Sequence, residues 1–227
     1  MKHLLTVALI AAALTRPFDS LTLAQDRPQV TVAQEGVRFP ELRPEQYSPA
    51  QKAFVADLTK PPRNGNVSTG PFRVYLRSPE FGRHALGMSD YLRWGTSLDP
   101  RLVEFTILIS ARHWSSSYIW RAHYPAAVKN GLDPKIPAAM AAGRRPEGMK
   151  PDETVIYDLL TQMYRDKRVS DVTFNAAVAR YGEKGVTDIV GLASYYGITA
   201  MALIASNAPT LPGDEPKLQT LAQVFPR

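Results

Sequence analysis

Two helical patterns of apolar residues, joined by a short polar turn, occupy the middle of the chain between Asp99 and Gly131. Asp99 can cap the first helix, and Pro100 suits its opening position, where a missing N–H costs nothing. The first pattern carries four large apolar residues at the spacing of one helix face: Leu102, Phe105, Leu108 and Ile109. Residues 114–117 interrupt the pattern, and a second helix is predicted from about Tyr118 until the natural stop at Gly131.

The remainder of the chain predicts further helices and contains neither a repeated strand pattern nor a sequence repeat. Capping residues, prolines and apolar spacing predict six further helices. They run from Pro49 to before Pro61, from Pro79 to about Trp94, from Pro134 to about Ala142, from Pro151 or Asp152 onward, from Ser170 to Gly182, and from Val186 to Ser206. Residues 72–76 could form a short strand or an extended segment. The predicted fold class is therefore all-α.

The N-terminus predicts export. Met1-Lys2-His3 precedes an apolar run from Leu4 to Leu14, which at eleven residues is too short to span a bilayer as a helix, for which about 20 are needed. We expect residues 1–24 to be a signal peptide and the protein to be periplasmic or secreted, with no membrane span. Residues 25–47 are then an extended arm, 48–207 a helical domain and 208–227 a proline-rich tail.

The composition and charge of the chain limit the classes of ligand that we expect it to bind. The formal net charge of the 227-residue chain is +6, falling to +5 without residues 1–24, and no run of five or six like charges occurs. Basic stripes for nucleic acid are absent, whereas a basic surface favours an anionic substrate. The chain has no cysteine, so neither a disulfide framework nor thiol chemistry of its own is expected.

The spacing of Glu104, Ser116, Ile119 and His123 resembles the signature hairpin of the carboxymuconolactone decarboxylase / alkyl hydroperoxidase D superfamily. In the hydroperoxidase branch the two middle positions are the cysteines of a Cys-x-x-Cys pair. The run from Tyr118 to His123, followed by Ala127 and Gly131, is similar to the decarboxylase-like branch, with Ile119 replacing a glutamate. The resemblance covers about residues 72–207. It implies an AhpD-like helical bundle around a central two-helix hairpin, assembled as a homotrimer or hexamer.

Glu104 and His123 are the candidate catalytic residues. Glu104 has apolar neighbours at helical spacing, so desolvation is expected to raise its pKa into a useful range for proton transfer. An imidazole can move protons at neutral pH, and the resemblance makes His123 the active-site histidine. The alternatives are an exposed first-turn glutamate and a core histidine bonded to Tyr118 or to a backbone carbonyl.

Four further residues are expected to contact substrate: Arg112, Ser116, Tyr118 and Trp120. Arg112 could hold a carboxylate in a bidentate grip, although a cation at a helix end also suits the dipole. Because Tyr195 and Tyr196 are consecutive on a helix, at most one is expected to reach a site. No metal-ligand spacing, glycine-rich phosphate loop or dinucleotide fingerprint occurs, so no metal and no cofactor are expected.

The predicted function is cofactor-free acid–base catalysis, a decarboxylation or a related lyase or isomerase step, on a small carboxylate or lactone. Hydroperoxidase activity is the first alternative, and the missing cysteines argue against it, because serine cannot cycle through sulfenic acid and disulfide. The second alternative is a ligand-binding or assembly module without catalysis, which the departure at Ile119 favours.

Overall fold

The computed structural model describes residue 36, residues 38–213 and residues 215–219. The predicted signal peptide, the first part of the predicted arm and the last residues of the tail lie outside the described residues. Within this part of the chain every regular element is helical and no strand occurs. The all-α prediction is confirmed.

Eight α-helices follow one another within the described residues. They are α1 (Pro49–Leu58), α2 (Phe72–Tyr75), α3 (Pro79–Asp90), α4 (Pro100–His113), α5 (Ser117–Lys129), α6 (Lys135–Ala141), α7 (Pro151–Asp166) and α8 (Asp171–Ser206). A short 3-10 turn precedes α1 at Pro44–Gln46, and α3 continues directly into a wider π-helical turn at Tyr91–Gly95. Residues 72–76, predicted to be a strand or extended, instead contain the single turn α2.

Helix α4 lies at the centre of the domain and packs against α5, α6, α7 and α8. Every residue from Arg101 to Ala111 is buried, so α4 is enclosed on all sides, as expected of a helix in the middle of a bundle. The predicted start is confirmed: the Asp99 side chain accepts a hydrogen bond from the Arg101 N–H at 2.8 Å, and Pro100 follows it. The polar side chains of α4 therefore need partners inside the protein.

Helix α8 bends at Gly182, where the backbone leaves helical geometry with φ 67° and ψ 169°. The sequence predicted this interruption but placed the next helix at Val186, whereas the helix resumes directly after the glycine. Among the described residues, α8 alone is long and apolar enough to cross a membrane, and 61% of its most apolar window is buried within the protein. That burial is typical of a core helix, and it places Tyr195 and Tyr196 in the interior.

Candidate active site

Glu104 of α4 and His123 of α5 meet in the interior. His123 Nδ1 lies 2.6 Å from Glu104 Oε2, and the two side chains are only 12% and 8% exposed. The pair forms because α4 and α5 pack as an antiparallel hairpin across the turn at Trp114–Ser116, which brings residues nineteen positions apart into contact. A carboxylate at Nδ1 favours the tautomer that donates from this nitrogen and stabilises the imidazolium when it forms.

The other imidazole nitrogen also has a partner. The Tyr196 hydroxyl of α8 lies 3.0 Å from His123 Nε2, and the two rings meet edge to face at 5.0 Å. With Nδ1 donating to Glu104, Nε2 accepts from the tyrosine. Burial raises the pKa of Tyr196 far above its ordinary value, so the phenol stays protonated at neutral pH. Three helices thus contribute to one hydrogen-bonded row, Glu104–His123–Tyr196.

Arg93 supplies a cation beside this row. Its Nη2 lies 3.7 Å from the Glu104 Oε1, and its guanidinium lies 4.4 Å from the centre of the Trp94 ring. Arg93 belongs to the π-helical turn Tyr91–Gly95, and such turns often mark functional sites. Sequence analysis did not single out Arg93, since a helical pattern through residues 79–94 gives no sign of the wider turn.

The expected upward shift of the Glu104 pKa is wrong. Burial alone would raise the pKa of this carboxyl, but the hydrogen bond from His123 and the charges of His123 and Arg93 hold it below its ordinary value. Glu104 is therefore ionised at neutral pH. This suits a residue that orients and stabilises an imidazolium, and it does not suit a proton donor.

A cavity of about 230 Å³ opens beside His123. Its wall combines polar groups with apolar surface, and includes Arg63, Ser89, Arg93, Tyr118, Tyr195, Tyr196 and Thr199. The Ser89 hydroxyl and Arg93 Nε are buried without a hydrogen-bond partner among the described residues. Tyr195 and Tyr196 both line the cavity, so the expectation that at most one tyrosine reaches the site is wrong. The volume suits a small molecule of a few carbon atoms with a polar group.

The four residues predicted to contact substrate lie in different parts of the domain. Tyr118 lines the cavity. Ser116 is the N-cap of α5 and accepts from the Ile119 N–H at 3.4 Å, while Trp120 is 1% exposed in the core. Arg112 lies at the C-terminal end of α4 and lines a separate cavity. Of these residues the structure therefore brings Tyr118 alone to the wall beside His123.

No group of three or more residues suited to hold a metal ion occurs within the described part of the chain. Comparisons with protein families, with curated proteins and with solved structures find no match for this chain. The geometry of the cavity and the resemblance of the central hairpin are therefore the features that bear on function.

Proposed function

We propose that the protein catalyses a cofactor-free acid–base reaction on a small carboxylate or lactone in the cavity beside His123, as a protein similar to carboxymuconolactone decarboxylases. The observation that carries this proposal is the row Glu104–His123–Tyr196, which places an oriented imidazole between an ionised carboxylate and a neutral phenol at the cavity wall. An imidazole held in this way can take up and return a proton near neutral pH.

Decarboxylation is a reaction that requires few protein groups beyond these three residues. The bond between the substrate carbon and its carboxylate breaks, carbon dioxide leaves, and the electron pair stays on the carbon as an enolate. Solvent supplies the proton that converts the neutral His123 imidazole to the imidazolium. The imidazolium then gives this proton to the enolate carbon, either directly after Tyr196 moves aside or through the Tyr196 hydroxyl, which passes on one proton and receives another. Glu104 stabilises the imidazolium and remains ionised throughout. Isomerisation of a lactone would use the same residues, but His123 would first take a proton from one carbon and then deliver it to another.

Arg93 is the group best placed to hold the anionic end of the substrate. Its guanidinium is partly exposed in the cavity wall and makes only a long contact, 3.7 Å, with Glu104. Arg63, by comparison, donates to Asp90 and to the Leu86 carbonyl. A guanidinium fork binds a carboxylate with two parallel hydrogen bonds, and the low-dielectric wall strengthens them. This role replaces the one that the sequence suggested for Arg112.

One observation favours a ligand-binding module without catalysis. Both nitrogens of His123 already have hydrogen-bond partners, so the imidazole is satisfied without any substrate. Hydroperoxidase activity has no comparable support, because the Ser116 hydroxyl caps a helix and the chain has no cysteine. The binding module is therefore the second candidate.

A screen of small carboxylates and lactones tests the proposal, using thermal stabilisation to find ligands and product analysis to find turnover. The matched variants are His123→Ala and His84→Ala, the latter at an exposed histidine of α3. We expect a substrate whose turnover falls about 100-fold or more in His123→Ala, the usual contribution of a positioned acid or base, and is unchanged in His84→Ala.

Three results would overturn this function. Turnover that survives in His123→Ala to within a few-fold would remove the imidazole from the chemistry. Ligands that bind the wild type tightly, without any turnover, would establish the binding module instead. Rapid peroxide reduction with a dithiol would restore the hydroperoxidase alternative.

Export to the periplasm or the medium and assembly into a trimer or hexamer stay predictions. Exposed large apolar side chains on α3 and its π-helical turn support association: Phe81, Met88, Tyr91 and Trp94 are 38–45% exposed. The π-helical turn also carries Arg93, so an interface there would lie near the candidate site.

A further inference from the structure

A second cavity lies at the C-terminal end of α4, and it shares no lining residue with the cavity beside His123. Its volume is about 520 Å³, more than twice that of the cavity beside His123 and within the usual range of small-molecule sites. The C-terminal end of α4, the loop after α6 and one side of α7 form its wall, and His123 is not part of it. The proposed chemistry of the first cavity does not require this second one.

Four arginines line this cavity: Arg112, Arg144, Arg145 and Arg165. Arg145 is paired with Asp158, and Arg165 with Asp166. Arg112 and Arg144 form no ion pair with any described carboxylate, so two of the four positive charges stay uncompensated. An uncompensated pair of cations in a concave wall attracts anions, because the surrounding protein focuses the field into the cavity.

Arg112 is held at the cavity by the tail of the chain. Its Nη1 donates to the Gln219 carbonyl at 2.9 Å, and the Gln219 N–H in turn donates to the Ala141 carbonyl at 3.1 Å. Burial lowers the pKa of the Arg112 guanidinium, which stays cationic at neutral pH. A neutral carbonyl gives this cation orientation and leaves its charge available to a ligand.

The remaining wall is flat and apolar. The His113 ring stacks on the Tyr164 ring with 4.0 Å between centres and 7° between planes. The Tyr164 hydroxyl donates to Ser110 Oγ at 3.0 Å, which fixes the ring, and the Tyr157 ring lies under Arg145. Ile109 and Met140 add aliphatic surface. Rigid rings of this kind favour a planar ligand body, since stacking then costs little side-chain ordering.

We propose that this second cavity binds a small aromatic anion, whose oxyanion contacts Arg112 and Arg144 and whose ring lies against the His113–Tyr164 stack. A guanidinium fork accepts a carboxylate or a phosphate in the same bidentate manner, so the shared feature is an oxyanion on a flat apolar body. The site is distinct from the candidate active site and requires no catalysis.

Isothermal titration calorimetry with 1-naphthoate tests this site. Naphthalene-1-methanol keeps the rings and removes the charge, and 1-naphthyl phosphate replaces the carboxylate by the other oxyanion. The variants are Arg112→Gln and Arg144→Gln, with Arg43→Gln as a matched loss of charge at an exposed arginine outside the cavity. We expect one molecule of 1-naphthoate per chain, weaker binding of the alcohol, and a Kd raised about tenfold by either cavity variant but unchanged by Arg43→Gln. The tighter of the two anions identifies the kind of oxyanion.

Arg93→Gln separates the two cavities. If this variant abolishes naphthoate binding and Arg112→Gln does not, the anion occupies the cavity beside His123 and the proposal is overturned. Equal binding of the alcohol and the acid would also overturn it, because the arginines would then contribute nothing. If Arg112→Gln fails to fold, Arg144→Gln still tests the proposal. Arg144 is exposed and its side chain has no partner among the described residues, so its replacement should not destabilise the domain.

Discussion

Arg101 holds the central helix to α7 through a buried ion-pair cluster, and replacing it should destabilise the domain strongly. The Arg101 side chain contacts the Glu153 carboxylate through Nη1 and Asp152 Oδ2 through Nη2, the latter at 2.7 Å. Arg101 is 7% exposed and Glu153 is 1% exposed. The change Arg101→Met keeps an unbranched side chain that replaces the aliphatic stem of the arginine and removes the charge.

The expected cost follows from what the change leaves behind. Glu153 becomes a buried carboxylate without its cation, and breaking such a pair costs about 3–5 kcal/mol. Two features favour the lower end of this energy range. Glu153 still accepts a hydrogen bond from the Lys150 N–H at 2.7 Å, and Asp152 still has the Arg180 guanidinium at 3.9 Å. We therefore expect a loss of about 3 kcal/mol in the free energy of unfolding. For a domain of this size that corresponds to a Tm lower by roughly 6–12 °C.

Urea denaturation followed by circular dichroism measures this free energy. Arg180→Met is the matched control, because Arg180 is an exposed arginine near the same Asp152, and it should cost less than about 0.5 kcal/mol. The double variant Arg101→Met, Glu153→Gln removes the stranded charge and keeps an acceptor for Lys150, so it should recover at least half of the loss. A single variant within about 1 kcal/mol of the wild type would refute the reasoning, as would a double variant no more stable than the single one.

Two further predictions concern the central hairpin. The folded-state pKa of Glu104 lies below its ordinary 4.5, so its ionisation stabilises the fold fully above that pH and the contribution is lost as the pH falls below it. The stability difference between wild type and Glu104→Gln, measured by urea denaturation, should therefore shrink between about pH 6 and about pH 3; a difference that grows towards acid would contradict the sign. Ser116→Ala should cost about 0.5–1 kcal/mol by removing the cap of α5, and Ser116→Gly less, in the same assay. A Ser116→Ala protein of unchanged stability that has lost all turnover would instead identify a serine nucleophile.

The helices were predictable wherever the signal was local. Asp99 with Pro100, and Ser48 with Gln51, are caps that lie within one turn of the helix they begin, and both are present. The single turn at residues 72–75 was missed because four residues are too few to display a period of 3.6. The short α2 depends on its packing against α3 and α8, which no local pattern records.

The site was predictable only in part, for a similar reason. The hairpin resemblance named Glu104 and His123 as the candidate catalytic residues without showing that they meet, and the structure brings them to 2.6 Å. Tyr196 lies 73 positions from His123 in the chain, so its contact depends on how α8 packs. Glu104 has apolar neighbours on its own helix, but the two groups that lower its pKa, His123 and Arg93, come from α5 and the π-helical turn. The residue spacing along α4 therefore predicted that Glu104 is buried, but it could not show the polar and charged groups that other elements bring next to Glu104.

The distance of Arg112 from the candidate active site follows from helix geometry. Residues 104 and 112 lie eight positions apart, which is roughly 12 Å along the axis and about 80° around it. The sequence showed that both residues belong to α4 but not that Arg112 lines a different cavity from the one beside His123. A single charged residue on a predicted helix therefore cannot be assigned to a site from its type alone.

The charged residues of α4 differ in how the surrounding protein compensates their charges. Burial of a charge is tolerated only where a partner compensates it. Arg101 has two carboxylates, and Glu104 has His123 and Arg93, so each of these charges is compensated by protein groups. Arg112 has only the Gln219 carbonyl among the described residues, and it lies in the wall of the larger cavity. A partly buried cation is stabilised more by an anion than by a neutral carbonyl. We therefore expect an external anion that binds at this end of α4 to stabilise the fold.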